Sequence, residues 1–326
     1  MIMFKGVDFF PHGTKWKIIE KRMIFVGLSW ALAIASALLL MTRGLNYGVD
    51  FKGVSLIEVQ SKSGTLDVSS LRDALSRLGL GEVQVQGSGP AGALIRVAQQ
   101  RASGEAAEAK AQEEANTKVK DALGKDYDIR RTEVVGPAVS SELKQTGIYA
   151  VIAAILGIMA YVWFRFEWQF AVAAIVALIH DVFITVGMFS VLWYEFDLSV
   201  VAALLTLAGY SINDTVVVFD RIRENLRKYK KMPLTDLLNL SINETLSRTV
   251  LTSLVTALAV LALYIFGTSV IHGFAFAMLF GIAIGTYSSI FVASPLLLWF
   301  GVKRDWSGTA APAAVAGRDG SSKAKA

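Results

Sequence analysis

The chain has no cysteine, and only six prolines and three histidines among its 326 residues. Without cysteine there can be no disulfide framework, no thiolate metal site and no cysteine nucleophile. Charge is also sparse. Asp, Glu, Lys and Arg make up 18% of the chain, against about 25% in ordinary soluble domains. The familiar chemical motifs are missing too: no phosphate-binding GxxxxGK[ST] loop, no HExxH and no GxSxG. No enzyme constellation is therefore expected, nor any bound cofactor. Work done by such a chain would have to be powered by an ion gradient or by a partner. The net charge of +5 invites a nucleic-acid reading. The basic residues, however, gather beside apolar spans, where the positive-inside rule puts them. No nucleic-acid partner is expected.

What the chain does have is apolar length. Hydrophobic residues form 54% of it, and the mean hydropathy is +0.49, which puts it among membrane proteins. A spanning helix needs about 20 mostly apolar residues. Six stretches qualify, at roughly 23–41, 146–164, 169–193, 198–219, 249–267 and 273–300. The first follows a basic stretch, as a signal peptide would. Its apolar run is too long for a signal h-region, and its one A-x-A pattern lies inside the run. It reads as an uncleaved anchor.

The basic residues orient the spans. Of the 32 Lys and Arg, 14 lie in the insert from Arg43 to Lys144, balanced by 14 Asp and Glu. Long translocated domains do not vote in the positive-inside rule. The other 18 fall on one side of the membrane, and the two short loops opposite, at 195–197 and 267–272, carry none. Both termini are expected in the cytoplasm and the insert outside. The expected organisation is a tail at 1–22, a first span at 23–41, a folded insert at 42–145, and a five-helix remainder at 146–306 with a cytoplasmic loop at 220–248. A tail at 307–326, made mostly of Ala, Gly, Ser and Lys, is expected to be disordered.

Inside the insert, Val54–Gln60 reads as a strand and Val68–Leu78 as an amphipathic helix with Leu71, Leu75 and Leu78 on one face. Glu82–Gln86 and Leu94–Ala98 alternate like strands across a Gly87-Ser88-Gly89-Pro90 turn. Glu105–Leu123 reads as a helix and Tyr127–Val135 as a last strand. The order βαββαβ implies a ferredoxin-like sandwich, a fold that by itself indicates no activity. Between the fourth and fifth spans, Leu234, Leu237, Leu238, Ile242 and Leu246 recur at helical spacing. They suggest an interfacial helix on the membrane surface or a short linker helix.

Ionisable side chains within spans are costly, about 2.5–3.5 kcal/mol for a central Asp, Lys or Arg, and mark functional sites. Asp214 in the fourth span sits in the polar patch Gly209-Tyr210-Ser211-Ile212-Asn213-Asp214-Thr215. With the helix expected to end near Asp220, it lies about 9 Å below the surface at 1.5 Å per residue. Arg248, at the start of the fifth span, enters from the same side. If the two face each other, the carboxylate is ion-paired when deprotonated and frees the arginine when protonated, as proton coupling requires. The alternatives are a structural ion pair, a capped helix end, or an arginine that snorkels to the interface. Asp181, near the middle of the third span, with its neighbour His180, either extends a proton path or hydrogen-bonds polar groups of the fourth span. His272 borders the outside and reads as interfacial. Gly281 and Gly285, extended by Gly273 and Ala277, form a close-packing face on the last span.

These motifs resemble the SecD/SecF family of bacterial protein-export membrane proteins along nearly the whole chain. The carriers are Gly48-Val49-Asp50-Phe51-Lys52-Gly53, Val135-Gly136-Pro137-Ala138-Val139-Ser140, His180-Asp181-Val182, and the fourth-span patch continuing through Phe219-Asp220-Arg221-Ile222-Arg223-Glu224-Asn225. Ser241-Ile242-Asn243-Glu244-Thr245-Leu246-Ser247-Arg248-Thr249 and Gly281 through Pro295 also match. Val54 departs from the pattern, which usually has a second glycine after Gly53. The resemblance implies an α-helical polytopic membrane protein, a half of resistance-nodulation-division (RND) type with six transmembrane helices and the ferredoxin-like domain outside. It also implies a SecD partner half and docking near the SecYEG channel, with YajC and YidC as possible neighbours. The substrate would be an unfolded preprotein, pulled outward by the proton-motive force with protons as the coupling ion. By motif position, Asp214 would carry the proton and Arg248 would be its basic partner. Asp181 would support them, with His180, Ser211, Asn213 and Thr215 as accompanying polar groups. Two other readings stay open. One is an RND-type exporter of small molecules or lipids, which usually carries larger insertions than this one. The other is a scaffold of the translocon in which Asp214 only locks helices together.

Overall fold

The computed structural model describes residues 14–302 except residues 53, 82, 90, 99, 101–104, 125 and 135–136. The expected tail at 307–326 lies outside the described residues. Six helices are long and apolar enough to cross a membrane among the described residues. They are α1 (Arg22–Thr42), α5 (Pro137–Arg165), α6 (Trp168–Leu192), α7 (Leu198–Lys228), α8 (Leu234–Phe266) and α9 (Ser269–Ser288). The last span is broken in kind though not in course. A π turn, Ser289–Ala293, joins α9 to α10 (Ser294–Trp299), whose second residue is Pro295. Proline has no N–H to give to the helix, and Ser294 Oγ bonds the Ser289 carbonyl at 2.9 Å.

Between α1 and α5 the chain builds β1 (Asn46–Tyr47), α2 (Val49–Lys52), β2 (Ser55–Ser61), α3 (Val68–Ser76), β3 (Val83–Ser88), β4 (Gly92–Val97), α4 (Glu105–Leu123) and β5 (Tyr127–Val134). The four longer strands form an antiparallel sheet in the order β3-β4-β2-β5. This is the split-βαβ arrangement expected from the sequence. Alternation places Ile57, Val59, Ile95 and Val97 inward, where they meet Leu75 and Val119 of the two helices. The Asp67 carboxylate caps α3 by accepting from the Ser69 and Ser70 amides at 2.9 and 3.1 Å. The β3–β4 hairpin turns through Gly89, whose φ of +80° favours glycine.

In the membrane unit, α6, α7 and α9 are buried over half or more of their most apolar stretch, whereas α1, α5 and α8 are buried over less than a fifth. α7 is the central helix. The small residues of α9 allow close approach to it: a Cβ at Gly281 would stand 2.3 Å from Leu207 Cδ2, and one at Gly285 3.2 Å from Ser211 Cβ.

The segment expected as a separate interfacial or linker helix at 234–246 is neither. It is the first part of α8, continuous with the fifth span. Leu237, Leu238, Ile242 and Leu246 are buried against Phe219, Ile222 and Leu226 near the end of α7, so the apolar stripe meets protein instead of lipid. α7 likewise runs on to Lys228, beyond the expected end near Asp220. Arg221 ties the extensions together, bonding Glu244 at 2.8 Å and Glu224 at 2.6 Å, while Asn225 donates to Ser241 and Glu244. The residue 14–21 segment is held to the same place: the Asn243 carboxamide oxygen accepts from the Trp16 amide and that of Asn239 from the Ile19 amide.

At the opposite face, the inserted domain is strapped to α7. A two-residue parallel pair joins β1 to β6 (Glu195–Phe196), an element without sequence periodicity to announce it. The Asp50 carboxylate accepts from the Leu198 amide at 2.9 Å, and that of Asp197 accepts from the Val200 amide at 2.9 Å and Ser199 Oγ at 2.6 Å. Both carboxylates therefore sit on the positive end of α7. Burial nevertheless pushes the Asp197 carboxyl above its ordinary range, and the charge of Asp50 adds to the rise. Glycine at 48 permits the approach, since a Cβ there would stand 2.9 Å from Asp197 Cβ. Farther out, Arg96 of β4 forms an ion pair with Glu195.

Candidate functional site

Asp181 and Asp214 are buried inside the helix bundle, at 0% and 4% exposure. A carboxylate at that depth needs donors, and three neighbouring helices supply them. Asp181 on α6 accepts from Ser211 Oγ of α7 at 2.5 Å and from Ser288 Oγ at the end of α9 at 2.7 Å; its other oxygen meets His180 Nδ1 at 2.9 Å. His180 stacks on Tyr287, with ring centroids 6.5 Å apart. Tyr287 in turn donates to the Phe25 carbonyl of α1 at 2.7 Å. The second ring nitrogen of His180 is buried without a protein partner, as are the Tyr210 hydroxyl and Thr249 Oγ1. Of the two options open for Asp181 in the sequence, the structure displays the hydrogen bond to the fourth span.

Asp214 stands one turn from Ser211 on the same face of α7. Its carboxylate accepts from Ser253 Oγ of α8 at 3.2 Å, and Ser253 meets Thr286 Oγ1 of α9 at 2.6 Å. A single polar layer thus crosses α6, α7, α8 and α9, from His180 and Asp181 through Ser211 to Asp214, Ser253 and Thr286. Gly285 lies within it. A Cβ there would stand 3.3 Å from Ser211 Oγ and 3.6 Å from Asp181 Oδ2.

Arg248 is not joined to Asp214 in this conformation. Its side chain is exposed, and no ion pair within 4 Å connects the two. The direct partner of Asp214 is Ser253, five residues farther along α8 and about 7.5 Å deeper. Asn213 is exposed and Thr215 buried, so of the patch only Ser211 and Asp214 enter the hydrogen-bonded layer. His272 is exposed at the domain-side surface, its Nε2 2.7 Å from the Tyr264 carbonyl and its ring stacked on Tyr264. Among the described residues no three His, Asp or Glu side chains converge as metal ligands would.

Sequence reasoning missed Ser253, Thr286 and Ser288. A signal was present in the runs Thr252-Ser253 and Thr286-Tyr287-Ser288-Ser289 inside apolar spans. Hydroxyls in spanning helices are common enough to be read as packing, and only the fold aims them at the carboxylates.

Two family descriptions match the chain: "Protein export membrane protein SecD/SecF, C-terminal" over residues 115–303, and "SecD/SecF GG Motif" over residues 38–64. The chain is 47% identical over 307 residues to the protein translocase subunit SecF of Rhodobacter capsulatus, covering 90% of this chain and 92% of that one. It is 42% identical to the protein translocase subunit SecDF of Brucella abortus, covering 90% of this chain but 38% of that longer one. Its fold matches the crystal structure of SecDF, a translocon-associated membrane protein from a Thermus species. The TM-score is 0.79 at 35% identity, over 89% of this chain and 39% of that one.

Proposed function

From the premise that the chain belongs to the SecD/SecF family of protein-export membrane proteins, we propose that it converts proton movement into work on an exported polypeptide, with Asp214 as the proton-carrying group. It is a multi-pass membrane protein and a protein translocase subunit. Relatives that carry SecD and SecF in one chain imply a SecD partner. The finer reading extends this in several directions. The membrane is the bacterial inner membrane, both termini are cytoplasmic, and the inserted domain is periplasmic. The channel it serves is SecYEG, with YajC and YidC as neighbours, and the substrate is an unfolded preprotein in the late steps of export. No nucleotide is used.

The observation that carries the reading is the polar layer. Asp214 is buried on the central helix and accepts from the Ser253 hydroxyl, beside a second buried carboxylate that meets Ser211, Ser288 and His180. A carboxylate held by neutral hydroxyls gains or loses a proton without leaving a cluster of unpaired charges behind. Arg248, exposed on α8, is placed to approach Asp214 from the side opposite the domain once the carboxylate is charged. Asp181, bound to Ser211 one turn away, couples α6 to the state of α7. A scaffold reading needs Asp214 to lock helices, but a 3.2 Å bond to the neutral Ser253 hydroxyl is a weak lock.

The test is Asp214→Asn in cells that depend on this complex. The expected result is normal assembly with the SecD-type half and a loss of proton-dependent export of tenfold or more, the order of effect attached to a single proton-transferring group. Unchanged export would sink the proton reading, and failed assembly would favour the scaffold.

A further inference from the structure

Between α5, α6 and α7, on the domain side and beside Leu45, Tyr47 and Phe51, lies a cavity of about 260 Å³. Its wall is apolar apart from Tyr47 and Lys144, and it reaches down α5 to Val151 and Ile152. From Lys144 to Ile152 is eight residues, about 12 Å along the helix. Gly147 makes the space. It is buried on α5, and a Cβ there would still stand 3.8 Å from the methyls of Val201. Ile148 and Ile152, one turn apart on the cavity wall, are 52% and 49% exposed, so the flank opens sideways, toward the hydrocarbon.

The mouth carries an unusual charge. Three cations lie near this membrane edge, Arg43, Lys52 and Lys144, and Lys52 Nζ donates to Asn46 Oδ1 at 3.3 Å. Arg43 is occupied: it donates to the Ser190 and Val191 carbonyls at 3.2 and 2.9 Å and lies 4.5 Å over the Trp193 ring. Lys144 rests 4.5 Å over the Tyr47 ring, and among the described residues no carboxylate pairs with it within 4 Å. The ring fixes the ammonium over the rim and leaves its charge uncompensated. The shape adds a second constraint. The groove runs about 12 Å along α5 between apolar side chains of α5, α6 and α7, the form that one extended hydrocarbon chain fits.

We propose that this groove binds an anionic phospholipid from the leaflet on the domain's side of the membrane, with its phosphate at Lys144 and one acyl chain in the slot. The position matters because Tyr47, Phe51 and Phe196 of the wall belong to the strap between domain and α7, while Lys144 and Gly147 lie where the chain re-enters the membrane. A bound lipid would brace both crossings at once.

The experiment uses the complex of this chain with its SecD-type half. The complex is equilibrated with vesicles of phosphatidylethanolamine and phosphatidylglycerol and then examined by native mass spectrometry. The wild type should retain phosphatidylglycerol in preference to phosphatidylethanolamine. Lys144→Glu should reduce that retention about fivefold or more, the worth of a basic side chain at an anionic surface, and Lys144→Arg should preserve it. Val151→Phe, which fills the slot and keeps the charge, should lose the lipid as well. If Lys144→Glu does not assemble, the Val151→Phe and Lys144→Arg pair still decides. Retention unchanged in Val151→Phe or in Lys144→Glu overturns the proposal. So does a photo-crosslinker at Ile148 that captures the partner chain instead of lipid.

Discussion

The inserted domain and the membrane unit are opposites in polarity. In the domain, Ile57 and Ile95 are fully buried and the acidic and amide side chains of β2 face outward. In the membrane unit, Asp181, Ser211, Asp214 and Ser288 are buried while Phe164 and Phe266 are 93% and 86% exposed. One chain follows one physics in two solvents. Water drives apolar side chains together in the domain. Lipid gives no such drive, so the helices are held by close packing and by hydrogen bonds between polar groups. Stability should therefore reside in different residue types in the inserted domain and in the membrane unit.

That contrast can be broken or sharpened by substitution. Ile57→Ala removes a fully buried side chain from the domain core and should cost about 2–5 kcal/mol. Chemical denaturation monitored in the domain should read it, with the helices' own unfolding unmoved. Gly281→Val inserts bulk where a Cβ would already stand 2.3 Å from Leu207. It should cost about 1–3 kcal/mol, read as loss of the folded fraction in a detergent titration. Leu258→Ala removes an equally large apolar side chain, but one 55% exposed on α8. In the isolated chain it should change stability by less than about 0.5 kcal/mol. A loss there as large as that of Ile57→Ala would mean that α8 is held by apolar burial after all, and the contrast would fail.

The sequence made some of this legible and hid the rest for physical reasons. The six spans and the βαββαβ order could be read because each depends on local periodicity or length. The continuity of α8 could not. Asn239, Ser241, Asn243 and Glu244 interrupt its apolar run, and their partners, Trp16, Glu20, Arg221 and Asn225, come from distant segments. The buried carboxylates Asp181 and Asp214 stood out as charges in apolar runs. The hydroxyls that serve them lie 30, 39 and 107 residues away, a relation no spacing rule contains. The expected approach of Arg248 to Asp214 was argued from entry on the same side of the membrane and from motif position, and neither says which way a helix turns its side chains.

The strap beneath the domain has a mechanical meaning. Asp50 grips the first amide of α7, and Asp214 rides the same rod sixteen residues on, about 24 Å at 1.5 Å per residue. A rigid shaft clamped at one end and loaded partway along cannot twist in one place only. Any roll of α7 at the carboxylate is passed as torque to Asp50 and the strap at the root of the inserted domain.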